Sequence, residues 1–286
     1  MSGSDRFPEF AERYGPWAIV VGASEGIGAC LADQVAEAGI NLVLVARNEA
    51  RLDEVAASVR GVRGVEVRTV VCDLTDPLAG SVISAATNAL EVGLLVYVAG
   101  AANRSTTFLE DSLEESLDLV RLNCIGPLAL AREFAPPMRE RGRGGIVLVG
   151  SMACLAGAAH VAVYSAVKMF GVNFAEGLWA ELHSDGVDVC NAVLGSVNTP
   201  AAARQGVASD PARDMEPAEV AKEILENIGN GPTYVVGAAN RAMASLFWTV
   251  DRRSAVELMS AATREYAART APPTYPPQLR SDQPAR

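Results

Sequence analysis

Trp17-Ala-Ile-Val-Val-Gly22-Ala-Ser24-Glu-Gly26-Ile27-Gly28-Ala-Cys-Leu31 decides how the rest of the chain is read. Five apolar residues run into a glycine-rich turn, and a helical pattern follows. Ile27, Leu31 and Val35 recur every four residues on one helix face, and Gly39 comes after them as a stop signal. The chain must turn tightly between strand and helix, and its backbone must let a ligand come close. Glycine satisfies both needs, and the helix N-terminus offers amides and a positive dipole end to a pyrophosphate. The spacing is G-x-x-x-G-x-G, not the G-x-G-x-x-G of the usual dinucleotide fingerprint. A tight turn that binds nothing is the alternative reading.

Working outward, the same alternation continues. Apolar β-branched runs occur at 17–21, 41–45, 65–71, 94–98, 146–149, 187–193 and 233–236. They are continuous rather than alternating, the pattern of parallel strands buried on both faces. Helical stretches separate them. Ser112 and Glu115 have the spacing of a capping box that opens a helix containing Asn123. Pro217 suits the first position of another helix. The reading is α/β: a doubly wound, Rossmann-like parallel sheet of about seven strands with helices on both faces and right-handed crossovers. Residues 1–269 read as one domain, with a lid near 200–215 whose small residues and glycine suit movement. The last 17 residues, Thr270–Arg286, hold five prolines and read as a disordered tail.

Bulk composition narrows the partners. Half of the 286 residues are hydrophobic and the net charge is -10, so a large core is available while nucleic acid and anionic lipid are poor partners. Five cysteines without C-x-x-C spacing read as reduced thiols of a cytoplasmic protein. The N-terminus lacks a signal-peptide run. Ile146–Val163 is nearly free of charge, but it contains Gly150, Ser151, Gly157 and His160, and reads as a strand and a site loop rather than a membrane span. Metal spacing is absent from the motifs, and neither His160 nor His183 sits in a nucleophile motif.

The second strand ends in Val45-Ala46-Arg47. An NAD site places a carboxylate near here for the ribose hydroxyls. Arg47 instead suits a 2′-phosphate, which favours NADP over NAD; a solvated arginine is the alternative. Asp73, after the third strand, suits the adenine amino group or, equally, a simple turn in Asp73-Leu74-Thr-Asp76.

These residues together resemble the short-chain dehydrogenase/reductase family in its single-domain branch, over roughly residues 15 to 200. The resemblance rests on Gly22, Gly26 and Gly28; Asp73 with Leu74; Ala99-Gly100; Asn123 in Asn-Cys-Ile-Gly126; Ser151, 13 residues before Tyr164; Tyr164-Ser-Ala-Val-Lys168; and Gly195-Ser-Val197-Asn-Thr199. It implies a nicotinamide cofactor held by Gly22, Ser24, Gly26, Ile27, Gly28, Arg47, Asp73, Leu74, Ala99, Gly100, Val197 and Thr199 as well as by Tyr164 and Lys168. It also implies a homodimer or homotetramer. Three positions depart from the family: Tyr97-Val98 replaces Asn-Asn, Leu194 replaces a proline, and Val21 replaces a threonine.

Hydride transfer to a carbonyl needs a proton donor, and a free tyrosine with pKa about 10 is a slow one at neutral pH. Tyr164 and Lys168 lie at i and i+4 and share a helix face. The lysine charge is expected to favour the phenolate by about one to three units. Ser151 would hold the substrate oxygen, and by resemblance Asn123 holds a water that passes protons from Lys168 to solvent. The apolar surroundings of Met152, Leu155 and Val161 suggest a small hydrophobic ketone or secondary alcohol, steroid-like or 3-ketoacyl. His160 either lines that pocket or sits on a surface loop. The alternatives are a non-catalytic NADP-binding regulatory protein and a sugar epimerase or dehydratase of the family's larger branch, for which the C-terminal part leaves little room. Arg47→Ala should weaken NADPH roughly ten- to a hundredfold and NADH little in nicotinamide fluorescence titrations; equal loss for both would overturn the cofactor preference.

Overall fold

The computed structural model describes residues 6–100 and 106–269. At its centre is a seven-stranded sheet: β1 (Trp17–Val21), β2 (Asn41–Ala46), β3 (Val67–Val71), β4 (Val92–Tyr97), β5 (Gly144–Ser151), β6 (Val187–Leu194) and β7 (Thr233–Val235). The spatial order is β3-β2-β1-β4-β5-β6-β7, and every neighbouring pair is parallel. The direction of strand addition reverses between β1 and β4, which opens a crevice at their carboxyl ends.

The helices are α1 (Arg6–Tyr14), α2 (Gly26–Glu37), α3 (Glu49–Arg63), α4 (Ala79–Thr87), α5 (Leu113–Val120), α6 (Gly126–Arg141), α7 (Ala162–Leu182), α8 (Pro200–Arg204), α9 (Pro217–Glu226), α10 (Ala238–Phe247) and α11 (Arg252–Arg269). They cover both faces of the sheet. On one face Leu31 and Val35 of α2, Leu52 of α3 and Ile224 of α9 pack on Val20, Leu44 and Val96. On the other, Ile83 of α4, Leu130 and Phe134 of α6 and Ala175 of α7 pack on Ile19, Val43 and Leu95. Full burial stabilises by about 1.5–3 kcal/mol per large apolar side chain. This double covering is why the strands read as unbroken apolar runs.

The expected strands are all present, with shifted ends. β3 starts at Val67 rather than Val65, because its ladder to β2 opens at Leu42 opposite Val67. β4 stops at Tyr97, because the amides of Val98 and Ala99 both turn onto the Val21 carbonyl, each at 2.9 Å. The uncharged stretch 146–163 divides into β5, a 3-10 turn (Met152–Leu155) and a loop into α7. Among the described residues no helix is long and apolar enough to cross a membrane. The capping box at Ser112 and Glu115 is formed, and Pro217 opens α9. The proline-rich segment 270–286 lies outside the described residues.

One difference matters for the site. The helix expected through Asn123 is not uniform: α5 passes through a π-turn, Arg121–Ile125, before α6. Tyr97, one of the departures from the family pattern, accounts for the widening. Its phenol donates to the Leu122 carbonyl at 2.7 Å. A side chain at Gly126 would put a Cβ 2.3 Å from that phenol oxygen. Burial pushes the Tyr97 phenol up, so it stays a neutral donor. Single π-turns inside α-helices occur mostly at functional positions. Tyr97→Phe should lower stability by about 1–2 kcal/mol in urea unfolding, the cost of an orphaned buried carbonyl. A variant as stable as the wild type would mean that this bond does not sustain the π-turn.

Candidate active site

Strand β1 delivers the chain into Gly22 at φ 92°, and Gly26 has φ 56°. Both values lie in the left-handed region that disfavours other residues. Contact is the harder constraint. A Cβ on Gly22 would lie 2.8 Å from the Ala99 amide nitrogen, and one on Gly28 would lie 2.0 Å from the Gly22 carbonyl oxygen. The turn folds back on itself, and α2 starts beside the end of β4. Glu25 precedes α2 without a side-chain cap on the helix amides. An uncapped helix N-terminus behind a glycine cradle fits the pyrophosphate of a dinucleotide. Ser24 is half-buried in the turn, and Ile27 packs on the first core face.

Across the crevice, β5 ends in Ser151, and α7 carries Tyr164 and Lys168. The Ser151 hydroxyl accepts from the Ala153 amide at 3.2 Å and hydrogen-bonds the Tyr164 phenol. The Lys168 amine lies 5.6 Å from the centre of the Tyr164 ring and donates to the Val149 carbonyl at 3.1 Å. The ladder between β4 and β5 ends at Leu148, one residue before that carbonyl. Asn123 is buried in the π-turn and donates to the Leu119 carbonyl at 2.9 Å. Gly100 borders both groups: a Cβ there would lie 2.9 Å from Lys168 Nζ and 3.3 Å from Asn123 Oδ1. Ser151, Tyr164, Lys168, Asn123, Ala99 and Gly100 therefore converge on the crevice.

The electrostatics differ from the expectation. Burial is the dominant effect and pushes the Tyr164 phenol up, with the Ser151 hydrogen bond opposing it. Burial also pushes the Lys168 amine down to about 8, against weaker raising effects from Cys154 and Cys124. Desolvation penalises whichever form is charged, so it acts on the two groups in opposite directions. With Lys168 buried and Tyr164 half-buried, a lysine charge alone does not lower the phenol.

Residues 16–209 match the short chain dehydrogenase family. The chain belongs to that family. A 7beta-hydroxysteroid dehydrogenase of Clostridium sardiniense is 31% identical over 235 residues, covering 81% of this chain and 89% of that protein. A very-long-chain 3-oxoacyl-CoA reductase of Laccaria bicolor is 34% identical over 184 residues, covering 63% of this chain and 54% of the relative. Among solved structures, a short-chain dehydrogenase from Sphingobium yanoikuyae in complex with NADPH is 30% identical, with a TM-score of 0.72, covering 83% of this chain and 97% of that one. This short-chain dehydrogenase is accordingly a nicotinamide-dependent oxidoreductase.

The other expected cofactor residues of the dehydrogenase lie around the same crevice. Arg47, exposed at the end of β2, approaches Asp73 at 4.0 Å. Asp73 accepts from the amide and hydroxyl of Thr75 at 3.0 and 2.8 Å, the turn role that sequence had left open. Leu74 beside it is buried. Val197 forms a parallel bridge with Met215, so the segment between them leaves and returns at one point. Thr199 caps α8, accepting from the Ala202 amide at 3.2 Å, and its methyl lies near Gly26.

Sequence reasoning missed Glu25. Its carboxylate accepts from Arg51 of α3 at 2.9 Å and from Arg204 of α8, which ties the 200–215 segment to the glycine turn. Both arginines hold Glu25 below the usual carboxylate range, Arg204 foremost. The partners stand 26 and 179 positions away, so only an alignment of folds brings them together. His160, with φ 65°, lies half-buried in the loop before α7 and lines a small pocket with Thr106, Phe108, Asp111, Leu119, Val161 and Tyr164.

Lys168 carries a stability cost. Its folded value near 8 lies below the ordinary 10.5, so between those values the unfolded chain binds more protons and stability rises with pH. Below pH 8 the cost is fully present, about 3 kcal/mol, partly offset by the bond to Val149 O. Lys168→Met should raise the melting temperature at pH 7 and lose that advantage by pH 10. An advantage unchanged across that range would mean that the amine is not charged and desolvated in the native state.

Proposed function

We propose that this dehydrogenase is an NADP(H)-dependent reductase of hydrophobic ketones, working reversibly on the matching secondary alcohols. The observation that carries the reading is the convergence of Ser151, Tyr164 and Lys168 at the carboxyl ends of the central strands. Gly22, Ser24, Gly26, Ile27 and Gly28 would hold the pyrophosphate, Arg47 the 2′-phosphate, and Asp73 with Leu74 the adenine side. Ala99, Gly100, Val197 and Thr199 would flank the nicotinamide half. The bound cofactor supplies the hydride.

Ser151 holds the carbonyl oxygen through a hydrogen bond that strengthens as negative charge develops on it. Tyr164 gives that oxygen its proton; a phenol kept neutral by burial is in the correct form to donate. Lys168 stabilises the phenolate left behind, and the low-dielectric surroundings that make its charge costly also strengthen its pull on that anion. Lys168 then passes a proton to that phenolate, and Asn123, fixed in the π-turn, holds the water that returns one from solvent to the Lys168 amine. In the alcohol direction each step runs backwards.

Two observations support a hydrophobic substrate. The pocket beside Tyr164 carries Phe108, Leu119, Val161 and Val163 together with Thr106, Asp111 and His160, and the relatives are named for steroid and 3-oxoacyl substrates. We assign a steroid-like or 3-ketoacyl compound as the substrate, with 200–215 as the lid of a single domain. Free cysteines throughout the described residues support a cytoplasmic location. Exposed Leu113, Leu117, Ile125 and Leu128 on α5, the π-turn and α6 support a homodimer or homotetramer. The test is a panel of steroid ketones, 3-oxoacyl thioesters and small sugars with NADPH and NADH. Steroid or oxoacyl turnover with NADPH is expected, and Tyr164→Phe should lower it roughly 10²- to 10⁴-fold, far more than it weakens cofactor binding. Turnover confined to sugars would remove the substrate class, and an undiminished Phe variant would remove the chemistry.

A further inference from the structure

Asn191 lies in the middle of β6, opposite Leu148 of β5 and Thr233 of β7, and is fully buried. Neither its amide nitrogen nor its amide oxygen has a hydrogen-bond partner in the protein. Leaving a buried polar group unsatisfied costs about 1–3 kcal/mol, and here there are two. The fold nevertheless makes room for this side chain. A Cβ on Gly150 would lie 2.3 Å from Asn191 Oδ1, and one on Gly171 would lie 3.2 Å from Nδ2. Gly150 immediately precedes Ser151, and Gly171 follows Lys168 by three positions on α7.

The amide faces a cavity of about 20 Å³ that Asn191 shares with Lys168, Asn123, Gly150 and Tyr97. That is room for one water, which needs two to four polar partners. The polar groups are present. An ammonium has three N–H donors, and Lys168 uses one of them on Val149 O. Asn123 uses its amide nitrogen on Leu119 O. Asn191 keeps both a donor and an acceptor. A water there accepts from the Lys168 ammonium and donates to Asn191 Oδ1; when the amine is neutral, the same water donates to it and accepts from Asn191 Nδ2. An amide suits this position because it can bond the water in either orientation, whereas a hydrocarbon of the same size bonds neither.

We propose that Asn191 holds a buried water bridging to the Lys168 amine, and that it thereby acts as a positioning residue for the proton-transfer group. The proposal rests on the reading of Lys168 given above, and it adds a second polar wall, on β6, to a cavity whose other wall is Asn123. The titratable groups that act on the Lys168 amine are Cys154, in the turn after β5, and Cys124, in the π-turn. The Tyr164 phenol lies one helical turn away.

The chain permits a direct test, because Lys168 and Lys222 are its only lysines. With ¹³C-labelled lysine, each Cε resonance is titrated in the cofactor-free protein. In Asn191→Leu the Lys168 titration should fall by about one further unit, since its charged form loses a hydrogen-bonded water. In Asn191→Ser, which restores a small polar partner, it should return towards the wild-type value. The activity limb governed by Lys168 should shift likewise, with kcat reduced several-fold and KM for NADPH nearly unchanged. A high-resolution crystal structure of the wild type should hold a water within hydrogen-bond distance of both Asn191 and Lys168 Nζ. A dry cavity, or a Lys168 titration indifferent to Asn191→Leu, overturns the proposal. If the Leu variant does not fold, the Ser variant and the wild-type water decide. A shifted Lys168 titration in a protein that turns over no ketone would instead overturn the enzymatic reading and leave the water bridge standing.

Discussion

Much of this molecule's carboxyl-end architecture serves to keep one ammonium out of water. Lys168 is held against the Val149 carbonyl just beyond the last β4–β5 pairing, beneath the Tyr164 ring. Charge is costly there, and its amine is pushed down to about 8. The same desolvation makes the charge effective on a phenolate formed nearby. A side chain at Gly100 would put a Cβ 2.9 Å from the amine, which would have to shift to admit it. The Tyr97 bond to Leu122 carries the π-turn that sets Asn123 beside it.

The burial of Lys168 and Tyr164 sets how the two groups are matched. Each is driven toward its neutral form, one downward and the other upward. A proton moving between substrate oxygen, phenol and amine thus passes among groups whose affinities burial has driven apart, the phenol holding its proton and the amine releasing its own more readily than free tyrosine and lysine do. That separation is a property of the cavity, and helix spacing alone does not produce it.

The fold was largely legible because each strand is sandwiched between helices, which leaves an apolar run with no alternation to confuse it. The glycine turn was legible because backbone contacts at Gly22 and Gly28 exclude a Cβ. The π-turn at 121–125 was not, since it depends on a phenol from β4 meeting a carbonyl 25 residues later. The same holds for Glu25, whose arginine partners come from α3 and α8. Asn191 was read as one more residue of an apolar strand, because a run of Val, Cys and Ala on either side hides a single amide. The expected lowering of the phenol failed for a related reason: spacing reports that two groups are neighbours, and only the packed structure reports how dry they are.

The measurement closest to the central claim is a crystal structure with NADPH and a ketone analogue bound. The account predicts the nicotinamide ribose within hydrogen-bond reach of Lys168, and the analogue's oxygen shared by Ser151 and Tyr164. A dinucleotide seated away from the glycine turn, or an analogue oxygen that meets neither hydroxyl, would contradict it.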